Sequence, residues 1–311
     1  MNMRALLKRE TGVRLEQIPV PAFTRPDDVR IRVAFAGICR TDLYVADGRR
    51  RARSDIVLGH ELAGLVDEAA RGVDLAPGTP VTVVPELACR ACRRCGRGEE
   101  CSRPRMLGLD HDGAFADHVL VPAEAVIRLP PGLSLARAAY VEPVAAALAV
   151  LDAPGVTGGR SGILLGKNRI AELVRRVCAL RGVELAQVGA EPEEARQAHA
   201  HQGAFDFVVE TLATPDTLAL ALELVRPGGV VVLKSRPDAP VALDIARAVQ
   251  KRISLCAVNY GSFHEAVRLL ASGELSIDDV LAEPVRLEAW SRAFQDAREP
   301  GAKKILFTLE A

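Results

Sequence analysis

Four cysteines fall within thirteen residues, as Cys89-x2-Cys92-x2-Cys95-x5-Cys101, and no other feature limits the chain so strongly. Thiolates spaced two residues apart let a single loop wrap a tetrahedral ion without a large core beneath it. The run makes a poor disulfide framework, because the chain has seven cysteines, an odd number, and clustered thiols in a reducing compartment point to metal. A saturated four-thiolate shell leaves no position for substrate, so this site is expected to be structural. Arg90, Arg93, Arg94 and Arg97 are expected to offset its negative charge. Cys178 and Cys256 lie in apolar periodic segments and read as buried core residues.

Before Leu135 the chain reads as short strands and loops, with strands at 29–34, 58–68, 81–84 and 116–121. Pro77-Gly78 and Pro130-Pro131-Gly132 punctuate them. The texture then changes. An Ala-rich helix is expected over 136–150, followed by apolar strands at 162–165, 183–188, 205–210, 230–234 and 253–258. Between them, Ile170, Leu173, Val174, Val177 and Leu180 repeat at helical spacing, and 215–225 reads as another helix. Alternation of this kind implies a parallel sheet covered on both faces. Helices at 263–271 and 287–297 and a strand at 304–309 close the chain.

Lys+Arg and Asp+Glu both count 40, so no net charge draws the molecule to nucleic acid or an acidic membrane. Aromatic residues make up only 4%, too few for base-stacking platforms. No apolar run reaches the ~18–20 residues of a membrane span. With no signal-peptide pattern at the N-terminus, a cytoplasmic location is expected. The run Arg49-Arg50-Arg51-Ala52-Arg53 reads as a solvated loop, with recognition of an anionic substrate as the sharper alternative.

A second set of metal-ligating residues is dispersed. Gly37-Ile38-Cys39-Arg40-Thr41-Asp42, Gly59-His60-Glu61 and Val141-Glu142-Pro143 together offer one thiolate, one imidazole and two carboxylates. A catalytic zinc typically takes three protein ligands and keeps one position open. These segments, the four-cysteine loop and Asp112-Gly113-Ala114-Phe115-Ala116 occur in an order that resembles the zinc-containing medium-chain dehydrogenases, over essentially the whole chain. The Glu-Pro pair is similar to the sorbitol, threonine and butanediol dehydrogenase branch.

The resemblance implies an α/β protein: a GroES-like β-rich catalytic domain over 1–143 and 259–311, and a Rossmann-type doubly wound domain over 144–258. It implies one structural and one catalytic Zn2+, with Cys39 and His60 as catalytic ligands. Glu61 would be a ligand or an exchanging neighbour, and Glu142 a labile fourth carboxylate. Thr41 would relay a proton, and Asp42 would orient His60. A shell with Cys39, Glu61 and Glu142 is expected to be anionic enough to soften the ion's Lewis acidity. The cysteine loop is two residues shorter between Cys95 and Cys101 than is usual in the family, which predicts strain. A homodimer or homotetramer is also implied.

The nucleotide fingerprint departs from the family's pattern. Its glycine-rich turn corresponds to Gly166-Lys167-Asn168-Arg169-Ile170-Ala171, where only the first glycine remains. Lys167 and Arg169 could add charge beside a helix N-terminus, where phosphate oxygens lie. Gly189, followed by Ala190, stands where an acidic residue is expected to bind the adenosine ribose, and Ala213 stands where a glycine is usual. The altered Asn168, Gly189 and Ala213 together predict weak NAD+ binding and, if either cofactor is used, a preference for NADP(H) or a distinctly placed nucleotide. The activity implied is NAD(P)-linked interconversion of a secondary alcohol, polyol, amino alcohol or sugar-like small molecule with its ketone. The alternatives are a non-redox zinc lyase or isomerase on the same fold, and a non-catalytic scaffold that keeps the zinc loop.

Overall fold

The computed structural model describes residues 1–189 and 191–309, which leaves Ala190 outside the described residues. The chain divides into two compact units, Met1–Glu142 with Ser276–Ala311, and Pro143–Leu275. Residues 259–275, grouped with the zinc domain on sequence, fall in the second unit. Their helix Phe263–Ser272 buries Phe263, Ala266, Val267, Leu269 and Leu270, and the Gly261 N–H donates to Ala145 O at 2.8 Å within that unit.

The first unit is built on a seven-stranded sheet whose central strand, Asp28–Gly37, pairs antiparallel with Glu61–Ala69, His118–Pro122 and Leu306–Thr308. Ile31, Val33, Leu62, Val66 and Val119 from these strands enter one core with Phe115, Phe294 and Phe307. Phe115 and Phe307 meet edge to face at 5.0 Å, a geometry that aromatic quadrupoles favour. Contrary to the sequence expectation of strands and loops alone, Arg40–Ala46 is a helix. Its start is fixed by Asp42, whose carboxylate accepts from the Cys39 N–H at 2.8 Å. A two-stranded ribbon, Glu86–Leu87 with Arg105–Met106, closes the base of the cysteine loop.

The expected helix over 136–150 is broken into Leu135–Ala138 and Val141–Leu148, with a 3-10 turn, Ala149–Asp152, at its end. Pro143 has no N–H to give to residue 139 and is tolerated only in a helix's first turn, so a new helix has to begin just before it.

The second unit holds five parallel strands in the order Leu185–Val188, Gly162–Leu165, Phe205–Glu210, Val225–Leu233, Ser254–Ala257. A six-stranded doubly wound sheet runs 3-2-1-4-5-6. Among the described residues the outermost strand of the first half is missing, so Leu185–Val188 is an edge, and the helix Pro192–Ala198 is the next element. Cys178 is buried, as expected. Cys256 is only half-buried, because its strand is the opposite edge of the sheet.

Gly59 and Gly113 press two backbones together beside His60. A Cβ on Gly113 would stand 2.1 Å from Gly59 O, and Gly59, at φ 97°, faces the Phe115 ring. Gly113→Ala must therefore move backbone, not a side-chain tip. It is expected to cost about 2 kcal/mol or more of stability in a denaturant titration, whereas Gly12→Ala, strained by φ but facing open space, should cost less.

Candidate metal centres and nucleotide turn

The four loop cysteines come together: one sulfur from each of Cys89, Cys92, Cys95 and Cys101 lies within 4.8 Å of the others. Cys92 Sγ stands 3.4 Å from Cys95 Sγ, and Cys89 Sγ 4.0 Å from Cys95 Sγ. A tetrahedron with metal–sulfur bonds near 2.3 Å has edges of about 3.8 Å, so the sulfurs are spaced for such an ion. The short Cys95–Cys101 span closes without separating them, through a 3-10 turn over Cys95–Arg97 and Gly98 in the left-handed region.

Backbone N–H groups of Cys89, Cys95 and Arg103 point at the sulfurs. The Ser102 side chain and the Cys95 N–H pull the Cys92 thiol down to about 5, while Cys92 and burial push the Cys95 thiol up to about 12. Four ionised thiolates can share this space only around a cation, which is the fit expected of a zinc site. Three of the four arginines expected to offset the thiolate charge are engaged with carboxylates. Arg90 pairs with Asp27 and Glu124, and Arg94 and Arg97 with Glu99, so these guanidinium groups already have carboxylate partners.

The second cluster is assembled from distant segments of the same unit. Ligand atoms of Cys39, His60 and Glu61 lie within 4.8 Å of one another. Cys39 caps the helix Arg40–Ala46, while His60 and Glu61 enter the strand Glu61–Ala69. Asp42 ties them together: beyond the Cys39 N–H, it accepts from the Gly59 N–H at 3.2 Å and stands 3.5 Å from His60 Nδ1. Burial opposes the imidazolium, but the Asp42 carboxylate and then the Cys39 sulfur outweigh it, so the His60 pKa stands well above its ordinary value. His60 Nδ1 is buried with no hydrogen-bond partner in the described residues. An imidazole between a carboxylate and a thiolate suits a metal, with Asp42 behind it.

Thr41 is buried in the first turn of the same helix. Glu142 is buried too, at the start of Val141–Leu148, but lies outside the three-residue cluster. It is still near enough to raise the Glu61 pKa, after burial and against the lowering effect of Lys304.

Lys304 escaped the sequence analysis, which read it only as the start of the last strand. Its ammonium is 4% exposed and lies against both carboxylate oxygens of Glu61. It also donates to Ile38 O at 2.9 Å and faces the Tyr140 ring at 5.6 Å. The positive charge returns what Glu61 adds, so the site is less anionic than the ligand types alone suggest. In the sequence it follows Lys303 and stands directly before the apolar run Ile305-Leu306-Phe307, with nothing to mark it as buried. The basic run is indeed exposed: Arg49 stacks on Tyr44, Arg53 pairs with Asp112 at 2.6 Å, and Arg51 and Arg53 line an open cavity of about 730 Å³ with Arg103 and Arg105.

In the second unit, Gly166 keeps its role. At φ 121°, a Cβ there would stand 2.2 Å from Thr211 Oγ1. Asn168 caps the helix Arg169–Ala179 by accepting from the Ala171 N–H, and its amide donates to Thr211 O at 2.9 Å. It bridges the loops that follow the first and third strands, neighbours in the sheet. Lys167 is paired with Glu194 rather than left free for a phosphate. Arg169 opens the helix. Ala213 adopts φ 51°, so the backbone still asks for glycine there. The buried Glu210 holds this loop, accepting from the N–H groups of Leu212 and Ala213 and from the Ser235 hydroxyl. The turn and the close approach at Gly166 fit a dinucleotide.

Two substitutions test these centres. Lys304→Met strands a buried carboxylate and should destabilise the fold by about 3–5 kcal/mol in denaturant titration; a change below 1 kcal/mol would mean that the pair is idle. Cys92→Ala should release one zinc per chain and lower the thermal midpoint, read by elemental analysis and calorimetry.

A family profile described as "Alcohol dehydrogenase GroES-like domain" matches residues 25–131, and one described as "Zinc-binding dehydrogenase" matches residues 183–272. The chain is 26% identical to L-threonine 3-dehydrogenase of Bacillus velezensis over 98% of each chain. It is 25% identical to galactitol 1-phosphate 5-dehydrogenase of Escherichia coli, over 98% of this chain and 99% of that one. The acetophenone reductase of Geotrichum candidum, solved in complex with NAD, superposes with a TM-score of 0.86 at 18% identity, covering 99% of this chain and 97% of the other. With the two zinc-ready clusters and the two units already described, these likenesses place the chain in the zinc-containing alcohol and polyol dehydrogenase family.

Proposed function

We propose that the protein is a zinc-dependent dehydrogenase that interconverts a secondary alcohol, within a polyol, amino alcohol or sugar-like molecule, and its ketone with NAD(P). The observation that carries this is the convergence of Cys39, His60 and Glu61 within 4.8 Å at a buried site. Three donors leave a tetrahedral ion one open position. The names of the threonine and galactitol 1-phosphate dehydrogenases both put the oxidised carbon inside a chain, which supports a secondary alcohol.

Cys39 and His60 hold the catalytic zinc, and the four loop cysteines hold the structural one. When bound, the catalytic ion supplies Lewis acidity toward the substrate oxygen and lowers the pKa of its hydroxyl, and the dinucleotide takes or gives the hydride. Asp42 fixes the His60 ring and the Cys39 loop with one carboxylate. Thr41, buried in the helix turn that follows Cys39, moves the substrate's proton. Glu61, its charge balanced by Lys304, is the third donor, and Glu142 is a carboxylate held in reserve nearby. The turn from Gly166 to Arg169 and the end of the second strand at Gly189 hold the dinucleotide.

Assembly as a homodimer or homotetramer is part of this reading. Its support is the large apolar side chains Ile245, Val249 and Leu255, which the second unit leaves exposed. A cytoplasmic location suits a thiol cluster that must stay reduced to take metal. Among the described residues, no helix is long and apolar enough to cross a membrane.

Two zinc ions per chain are expected by elemental analysis. His60→Ala should leave about one, keep the circular dichroism of the wild type, and abolish NAD(P)-linked oxidation of a panel of polyols and amino alcohols. Wild-type zinc content and turnover in this variant would refute the assignment.

A further inference from the structure

The second strand of the parallel sheet ends at Val188, and the next residue is Gly189. In a dinucleotide fold, a carboxylate at this point accepts hydrogen bonds from the ribose diol and repels a 2′-phosphate. Glycine provides none. The structure puts one there from elsewhere. The Glu194 carboxylate, from the helix Pro192–Ala198, folds back over the strand end, where Oε2 accepts from the Gly189 N–H at 2.7 Å and Oε1 from Lys167 Nζ at 2.7 Å. A Cβ built on Gly189 would stand 3.1 and 3.3 Å from the two Glu194 oxygens. The Glu194 oxygens thus lie within side-chain reach of position 189.

We infer that Glu194 is the cofactor-discriminating residue of this enzyme, replacing from the following helix the acidic residue that position 189 lacks, and that it selects NAD(H) over NADP(H). The inference rests on the dinucleotide-dependent function proposed above. It reverses the preference for NADP(H) suggested by Asn168, Gly189 and Ala213 as sequence.

Three observations support the assignment. The carboxylate is held, not free, since both its bonds come from the turn and strand end that border a dinucleotide. It is ionised at neutral pH, because the Lys167 ammonium and the Gly189 N–H keep its pKa below the usual range. It also remains one-third exposed, with lone pairs left over for the two ribose hydroxyls. The missing outer strand explains how the exchange arises. With that unit absent, the helix begins three residues after Gly189, close enough for its third residue to reach back. A side chain at Gly189 would press on the Glu194 oxygens, 3.1 and 3.3 Å from its Cβ, and shift them by a few tenths of an ångström.

Lys167 makes the pair a switch in specificity. With Glu194 ionised, its charge is spent on the carboxylate. With Glu194 replaced by an uncharged amide, the ammonium is free to meet a 2′-phosphate.

The test is a fluorescence titration of the zinc-loaded full chain with NADH and NADPH, for the wild type, Glu194→Gln, and Glu194→Gln combined with Lys167→Ala. The wild type is expected to bind NADH more tightly. Glu194→Gln should shift the ratio of dissociation constants toward NADPH by about tenfold or more, and the double variant should give back most of that shift. A wild type that prefers NADPH, or a ratio unmoved in Glu194→Gln, overturns the inference and leaves the dehydrogenase reading standing. A wild type that binds neither nucleotide overturns both.

Discussion

The buried ion pair of Lys304 and Glu61 is the contact on which the zinc-ready unit turns. It joins residues 243 apart in the chain and brings the last strand to the segment that carries His60. A desolvated pair of this kind gives little net stability against an apolar replacement, and its loss on one side is expensive. Its presence is better explained by charge balance. Cys39 and Glu61 bring two acidic ligand types together, and burial with the neighbouring Glu142 raises the Glu61 pKa. A fixed ammonium lets Glu61 stay beside the ion without overloading it.

On the proposed reading, the two cysteine-bearing sites would put the same metal to opposite uses. In the loop, four sulfurs surround the ion position, and the ribbon of Glu86–Leu87 with Arg105–Met106 pins its base. Such a site is closed and serves the fold. At the other, three donors from two segments meet, and Asp42 coordinates their placement by bonding the Cys39 and Gly59 backbones and facing the His60 ring. An incomplete shell held this rigidly is what a Lewis acid needs. Glycines at 59 and 113 let the backbones approach closely enough to set His60 in place.

Local signals were legible in the sequence and remote ones were not. The Cys89–Cys101 cluster declares itself because its ligands are neighbours in the chain. The strands at 162–165 and 205–210 were read with the bounds they have in the structure, since buried parallel strands are short continuous apolar runs. The dispersed Cys39, His60 and Glu61 could be grouped only by resemblance. Lys304 was missed because it acts on Glu61, 243 residues away, and Glu194 because its reach back to Gly189 and Lys167 depends on the turn between strand and helix. The helix expected over 136–150 failed on Pro143, a local rule outweighed by Ala-rich composition. The arginines around the cysteine loop were given to the wrong partner, because charge counting cannot see Asp27 and Glu124 across the fold. The absent outer strand was also invisible, as it leaves no gap in the alternation of strand and helix.

The central claim is that one chain carries a closed zinc site and an open one, and anomalous diffraction at the zinc edge tests it most directly. Two peaks are predicted, one among the sulfurs of Cys89, Cys92, Cys95 and Cys101, and one in contact with Cys39 and His60 with a non-protein atom completing its shell. A single peak, confined to the cysteine loop of zinc-replete protein, would contradict the account.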